Sequence, residues 1–289
     1  MSNEPRKDTM EAEQNWNDPN MRGSEETYQP NREMMDVVGM LEDSLPNIED
    51  PCGIYIALYD LLTEIEEMDM AGKYLVQTGL RVIAGEHRTL TYFLYNQMEL
   101  FAQLNPEAQR VYEQLADIIG EDEGELGANT LHLDQRKIYQ HDLIPELLLA
   151  RHLHRARVIS DAEFHVILHD LCWYDIKPPM APRTVAYILE DRVLPHHDKA
   201  IEFLAHDSGV PYLDLRMIQP DPASLELLPR EFMRVRGACA FGSVGRDPMI
   251  AVLNPFNLQL RDDVIKHIEE PTHYFFASAQ GYQKILDLL

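Results

Sequence analysis

A chain of 289 residues, 45% of them hydrophobic, is long enough for about two domains with cores of their own. The formal net charge of -24 excludes nonspecific nucleic-acid binding, which needs a basic surface to displace counterions, and excludes docking on anionic lipid; a basic protein partner fits the field. Cys52, Cys172 and Cys239 are isolated among apolar neighbours and read as buried reduced thiols, which, with no apolar leader and no run of membrane-spanning length, predicts a cytoplasmic chain without direct membrane insertion.

Residues 1–30 are rich in Asn, Glu, Pro and Asp and poor in aliphatics, so they cannot offset their chain entropy by burial and read as a disordered polar tail. From Asn31, a possible cap, Met34, Val38, Leu41 and Leu45 share one helical face before Pro46. Ile54, Leu58, Leu61, Ile65 and Met68 form a second stripe, and Tyr74, Leu75, Thr78 and Val82 a third, closed by Gly85. A fourth helix carries Leu90, Phe93, Leu94, Met98, Phe101 and Leu104. After Asn105, Pro106 opens a fifth with Val111, Tyr112, Leu115, Ile118 and Ile119. Residues 31–120 thus predict a helical bundle. A tetratricopeptide-like repeat scaffold is the alternative, but that family's Trp-Leu-Gly spacing is missing. The acidic, glycine-bearing stretch that follows gives a linker over 121–130; it lacks the register of a calcium loop.

Residues 131–207 again read as helical: one helix over 144–156, a second after the capping box Ser160-Asp161-Ala162-Glu163, then a stiff Pro-rich connector over 177–182, and helices over 183–192 and 196–206. Residues 208–289 change character. Gly209 and Pro211 end the helical run and a strand follows over 212–215. Then come a helix over 222–235, strands over 238–243 and 249–253 forming a hairpin, a helix over 257–269 capped by Asn257, a strand over 273–277 and a last helix over 279–289. The predicted class is α+β: an N-terminal all-helical domain, a helical subdomain, and a small βαββαβα sheet domain.

Three segments of the tail, Gly209-Val210-Pro211-Tyr212-Leu213-Asp214-Leu215, Leu227-Leu228-Pro229-Arg230-Glu231 and Ala251-Val252-Leu253-Asn254-Pro255-Phe256-Asn257, come in a fixed order and spacing. In this the tail resembles the N-terminal domain of type II secretion and type IV pilus assembly ATPases. That family often carries, just upstream, tandem copies of Arg-Leu-Gly-x-x-Leu-x-x-x-Gly-x-Ile-x-x-x-x-Leu, which cradle cyclic-di-GMP in its binding members. Two degraded copies run from Leu148 to Phe164 and from Arg183 to Leu194, with Ile159 and Leu194 matched at a spacing of 35 residues. The motif glycines are replaced by Ala150 and Val185 and by Arg157 and Arg192, and the leading arginine survives as Arg183 alone. Side chains there obstruct the close backbone approach that glycine allows, whereas Arg157, Arg183 and Arg192 offer phosphate donors. No Gly-x-x-x-x-Gly-Lys-Ser/Thr loop occurs and the chain stops where the ATPase would begin, so the resemblance implies a free-standing docking or regulatory protein. Its implied partner is a secretion or pilus motor or inner-membrane assembly protein.

Two rival functions remain on the residues. One is a cyclic-di-GMP receptor using Arg157, Arg183 and Arg192. The other is a metal-dependent enzyme, because nine of the 12 histidines lie between His132 and His206 and His165 and His169 stand four apart on a helix. No His-Glu-x-x-His pattern, nucleophile elbow or paired cysteine supports the enzyme, so no catalytic residue and no cofactor are expected.

Overall fold

The structure, a computed structural model, describes residues 30–121, 143–173 and 182–289. The predicted tail, the linker from 122 to 130 and most of the Pro-rich connector lie outside the described residues.

The first five helices are α1 (Pro30–Ser44), α2 (Cys52–Glu64), α3 (Met68–Ile83), α4 (Thr91–Ala102) and α5 (Pro106–Glu121). Three differences from the sequence pattern have local causes. Helix α1 begins at Pro30, one residue before the expected cap. The chain turns at Glu66, which is left-handed at φ 65°, so Met68 starts α3 instead of finishing α2. Leu104 lies beyond α4 and is exposed, whereas Phe93 and Phe101 are buried as expected.

Helices α6 (Leu143–Arg155), α7 (Asp161–Cys172), α8 (Val185–Asp191) and α9 (His197–Ser208) follow. They share one hydrophobic cluster with α1–α5: Leu41, Leu58, Leu75, Leu94, Leu153, Ile167, Leu189 and Leu204 all belong to it. Helix α1 packs on α6 and α2 on α7. At the second contact the Gly53 backbone is so close to the end of α7 that a Cβ there would lie 2.5 Å from the Cys172 carbonyl oxygen.

Gly209, left-handed at φ 65°, ends α9 as the sequence predicts. Strand β1 (Tyr212–Leu213) is shorter than expected because Asp214 accepts the Arg216 amide at 3.0 Å and turns the chain into a 3₁₀ turn over Leu215–Met217. The expected helix over 222–235 is two helices, α10 (Pro222–Leu225) and α11 (Arg230–Arg236), since Pro229 between them cannot donate to a continuous ladder. Then come β2 (Ala238–Val244), β3 (Asp247–Val252), α12 (Leu258–Ile265), β4 (His273–Ala277) and α13 (Ala279–Leu286), with Asn257 and Ser278 capping the two helices.

The strands form one sheet in the order β1-β4-β3-β2, with β1 and β3 parallel to β4 and β2 antiparallel to β3. The β2–β3 register slips between Ala240 and Gly242, and the Phe241 carbonyl there accepts the Asp221 amide at 3.0 Å, so α10 lies along that edge. A second hydrophobic cluster, with Tyr282, Ile250, Val252 and Leu260, fills the space between sheet and helices. The class is α+β, as the sequence predicts.

Candidate functional site

The two degenerate motifs fold as two copies of one unit: a helix, a left-handed residue, and a second helix. In the first, Arg157 is left-handed at φ 56°, its amide bonding the His154 carbonyl and the Val158 amide the Leu153 carbonyl. In the second, Val193 is left-handed at φ 50°, its amide bonding the Glu190 carbonyl and the Leu194 amide the Leu189 carbonyl. These are the paired bonds of a Schellman turn. The copies are therefore offset by 36 residues, from 157 to 193, and not by 35.

This corrects the expected alignment. The second motif's glycine positions fall on Ala186 and Val193, not on Val185 and Arg192, and the position of the leading arginine falls on Thr184, the cap of α8. Matching burial supports the new register: Ala150 and Ala186, Leu153 and Leu189, and Leu168 and Leu204 are all fully buried. Glycine suits the left-handed position sterically; a β-branched residue there costs about 1–3 kcal/mol.

The three arginines do not converge. Arg192 makes two hydrogen bonds to Asp170, 2.6 Å from Nε and 3.0 Å from Nη2. Arg183 donates from Nη1 to the Trp173 carbonyl at 3.0 Å, at the same end of α7. Arg157 is exposed and precedes the other end of α7, and its carbonyl accepts Lys199 Nζ at 2.9 Å. Burial raises the Asp170 carboxyl, but hydrogen bonds from Arg192 and His169 outweigh it and hold it below its usual range.

The two candidate metal ligands also part ways. His165 packs on Phe164, and burial lowers its pKa. His169 bonds Asp170 at 3.0 Å and stands 5.2 Å from the Trp173 ring. Among the described residues the one trio with metal-ligand spacing is Asp50, Glu86 and His87, which the sequence reading missed. That trio surrounds a cation already: Arg81 Nε is 2.8 Å from Glu86, and His87 Nε2 is 2.9 Å from Asp50.

Buried carboxylates tie the units together. Glu163, 5% exposed, accepts the Ser160 amide at 2.8 Å and the Ser160 hydroxyl at 2.6 Å, completing the predicted capping box. It also accepts the His196 amide at 3.0 Å, so one side chain serves the N-caps of α7 and α9. Burial raises its pKa, but these bonds pull it down to about 2. A carboxyl depressed in the fold contributes stability above its unfolded pKa and loses it as pH falls toward the folded value. Stability is therefore expected to drop as pH falls from about 4.5 toward 2, and Glu163→Gln to flatten that decline; thermal melts across the range measure both.

The second unit meets the sheet domain at a cleft of about 240 Å³ whose lining includes Glu190, Val193, His197, Tyr212, Arg216 and Gln280. The Glu190 carboxylate, nearly buried, accepts the Ala279 amide on one oxygen and the Gln280 amide on the other, both at 2.9 Å. It thus fills the N-terminal anion seat of α13. Arg216 in the same cleft is turned onto Asp214 by bonds of 2.9 and 2.8 Å. The sequence carried one sign of this arrangement. His154 and Asp161, paired at 2.7 Å in the first unit, fall on Glu190 and His197 in the second, the same pair with its charges exchanged.

Residues 208–287 match the model of the MshEN domain, the N-terminal domain of a type II/IV pilus ATPase. A solved chain described as "Structure of MshE with cdg" aligns at 18% identity with a TM-score of 0.36, over 48% of this chain and 96% of that one. No curated protein matches the chain. No helix among the described residues is long and apolar enough to cross a membrane.

Proposed function

We propose that this chain is a non-enzymatic docking protein of a type II secretion or type IV pilus machine, acting in the cytoplasm, whose MshEN domain serves as a protein-binding module. The helical stretch α1–α5 contributes a second surface. The partner expected from the resemblance is the motor or the cytoplasmic part of an inner-membrane assembly protein, and the acidic chain favours a basic contact face.

One observation carries the choice of docking over nucleotide reception. Two of the three arginines, and the first amides of α13, are already engaged: the Arg192 fork on Asp170, Arg183 on the Trp173 carbonyl, and the α13 amides on Glu190. A dinucleotide would have to displace both carboxylates and pass the Val193 side chain where the motif asks for glycine.

Calorimetry with cyclic-di-GMP on the full chain is expected to show no heat at ligand concentrations of about 100 μM, a range that detects micromolar binding. A micromolar dissociation constant lost in Arg183→Ala would replace docking by the receptor reading. In-cell crosslinking from the MshEN face is expected to recover a secretion or pilus component, and its failure to do so would remove the docking reading.

A further inference from the structure

His197 stands between two carboxylates. Its Nδ1 lies 3.1 Å from Asp198 and its Nε2 lies 3.8 Å from Glu190, and Nε2 is buried without a hydrogen-bond partner. The neutral ring carries one hydrogen and can donate it to only one of the two carboxylates, of which Asp198, at 3.1 Å against 3.8 Å, is the nearer. With that hydrogen on Nδ1 the ring points a lone pair at Glu190, acceptor against acceptor, and Nε2 is left without a partner. The imidazolium carries a hydrogen on each nitrogen and turns the same geometry into a two-sided ion pair. Tyr212 and Arg216 face the site from the chain around β1, and Gln280 from α13; Asp214 already neutralises Arg216.

We propose that His197 is a proton-operated clasp on the seam between the helical units and the MshEN domain. Glu190 is the moving part, because the same carboxylate holds the first two amides of α13. With His197 protonated, Glu190 is held between the ring and those amides, and α8 is fastened to α13. With His197 neutral, Glu190 is repelled from below and the seam loosens. The first unit has no counterpart: Asp161, paired with His154, is 89% exposed and none of its described bonds reaches another domain.

Hydrogen exchange on the full chain tests this at the Ala279 and Gln280 amides, corrected for the intrinsic pH dependence of exchange. Protection is expected to be about 2- to 10-fold higher at pH 5.5 than at pH 8, the range for one partly buried charge pair. His197→Phe is expected to hold protection at the alkaline level at both pH values. Asp198→Asn, at a fully exposed position, frees the ring to carry its hydrogen on Nε2 and is expected to give the high level at both. His154→Gln should leave the pH response intact. Equal wild-type protection at the two pH values, or a full response surviving in His197→Phe, would overturn the clasp.

Discussion

Gly53→Ala is expected to destabilise the fold by about 3 kcal/mol, the upper end of what overpacking a tight contact costs. The new Cβ would lie 2.5 Å from the Cys172 carbonyl oxygen and 3.2 Å from the Trp173 Cα. Both neighbours are backbone, so no rotamer change relieves the clash; α2 and α7 must separate. Gly79→Ala is the informative contrast. Its Cβ would come within 2.4 Å of Val111 Cγ1, a side chain, and the loss should be smaller because Val111 can turn or shift. Gly39→Ala, in α1 with nothing within 4 Å of its Cβ, should stabilise by about 0.5–1 kcal/mol through helix propensity. Urea midpoints of the three variants should therefore fall in the order Gly39, Gly79, Gly53, and a wild-type midpoint for Gly53→Ala would show that the α2–α7 contact is loose.

Glu146→Ala is expected to cost as much or more, about 3–5 kcal/mol, because it removes a buried carboxylate from two donors, each such hydrogen bond contributing about 1.5–3 kcal/mol. Glu146 is 2% exposed. One oxygen accepts the Val185 amide at 2.6 Å, at the start of α8, and the other accepts Asn254 Nδ2 at 2.8 Å, from the loop after β3. Its removal leaves the buried Val185 amide without this acceptor and leaves Asn254 Nδ2 with the Pro145 carbonyl at 3.4 Å, one loss in each unit. Unfolding should then lose cooperativity, with the sheet domain and the helices separating in denaturant. Coincident curves from far-ultraviolet circular dichroism and from a probe in the sheet domain would argue that Glu146 is not the tie.

What the sequence disclosed follows the range of each interaction. The Ser160 capping box, the Asn257 cap and the Gly209 stop lie within one turn of chain and are legible in the sequence. The order of strands and helices in the tail was legible because apolar alternation and Gly/Pro punctuation are local too. The split at Pro229 was legible in principle, since proline marks such a break, but the apolar stripe of Leu225, Leu228 and Phe232 runs through it. The repeat offset in the structure is one residue longer than the sequence pattern predicts, because the left-handed position is filled by Val193, the kind of side chain least expected there. Nothing local in the sequence distinguishes Glu146 and Glu190 from helix-surface acids. Their partners lie 108 and 89 residues away, and no local pattern encodes that.

Both rims of the four-stranded sheet are blunted. On one, β1 offers only two residues; on the other, β2 is kinked at Phe241, whose carbonyl is already taken by Asp221. A neighbouring molecule presenting an extended segment finds little unpaired backbone to zip onto, so strand-by-strand polymerisation is discouraged at high local crowding. Copies of this sheet brought close together would touch through side chains and not merge into a common sheet.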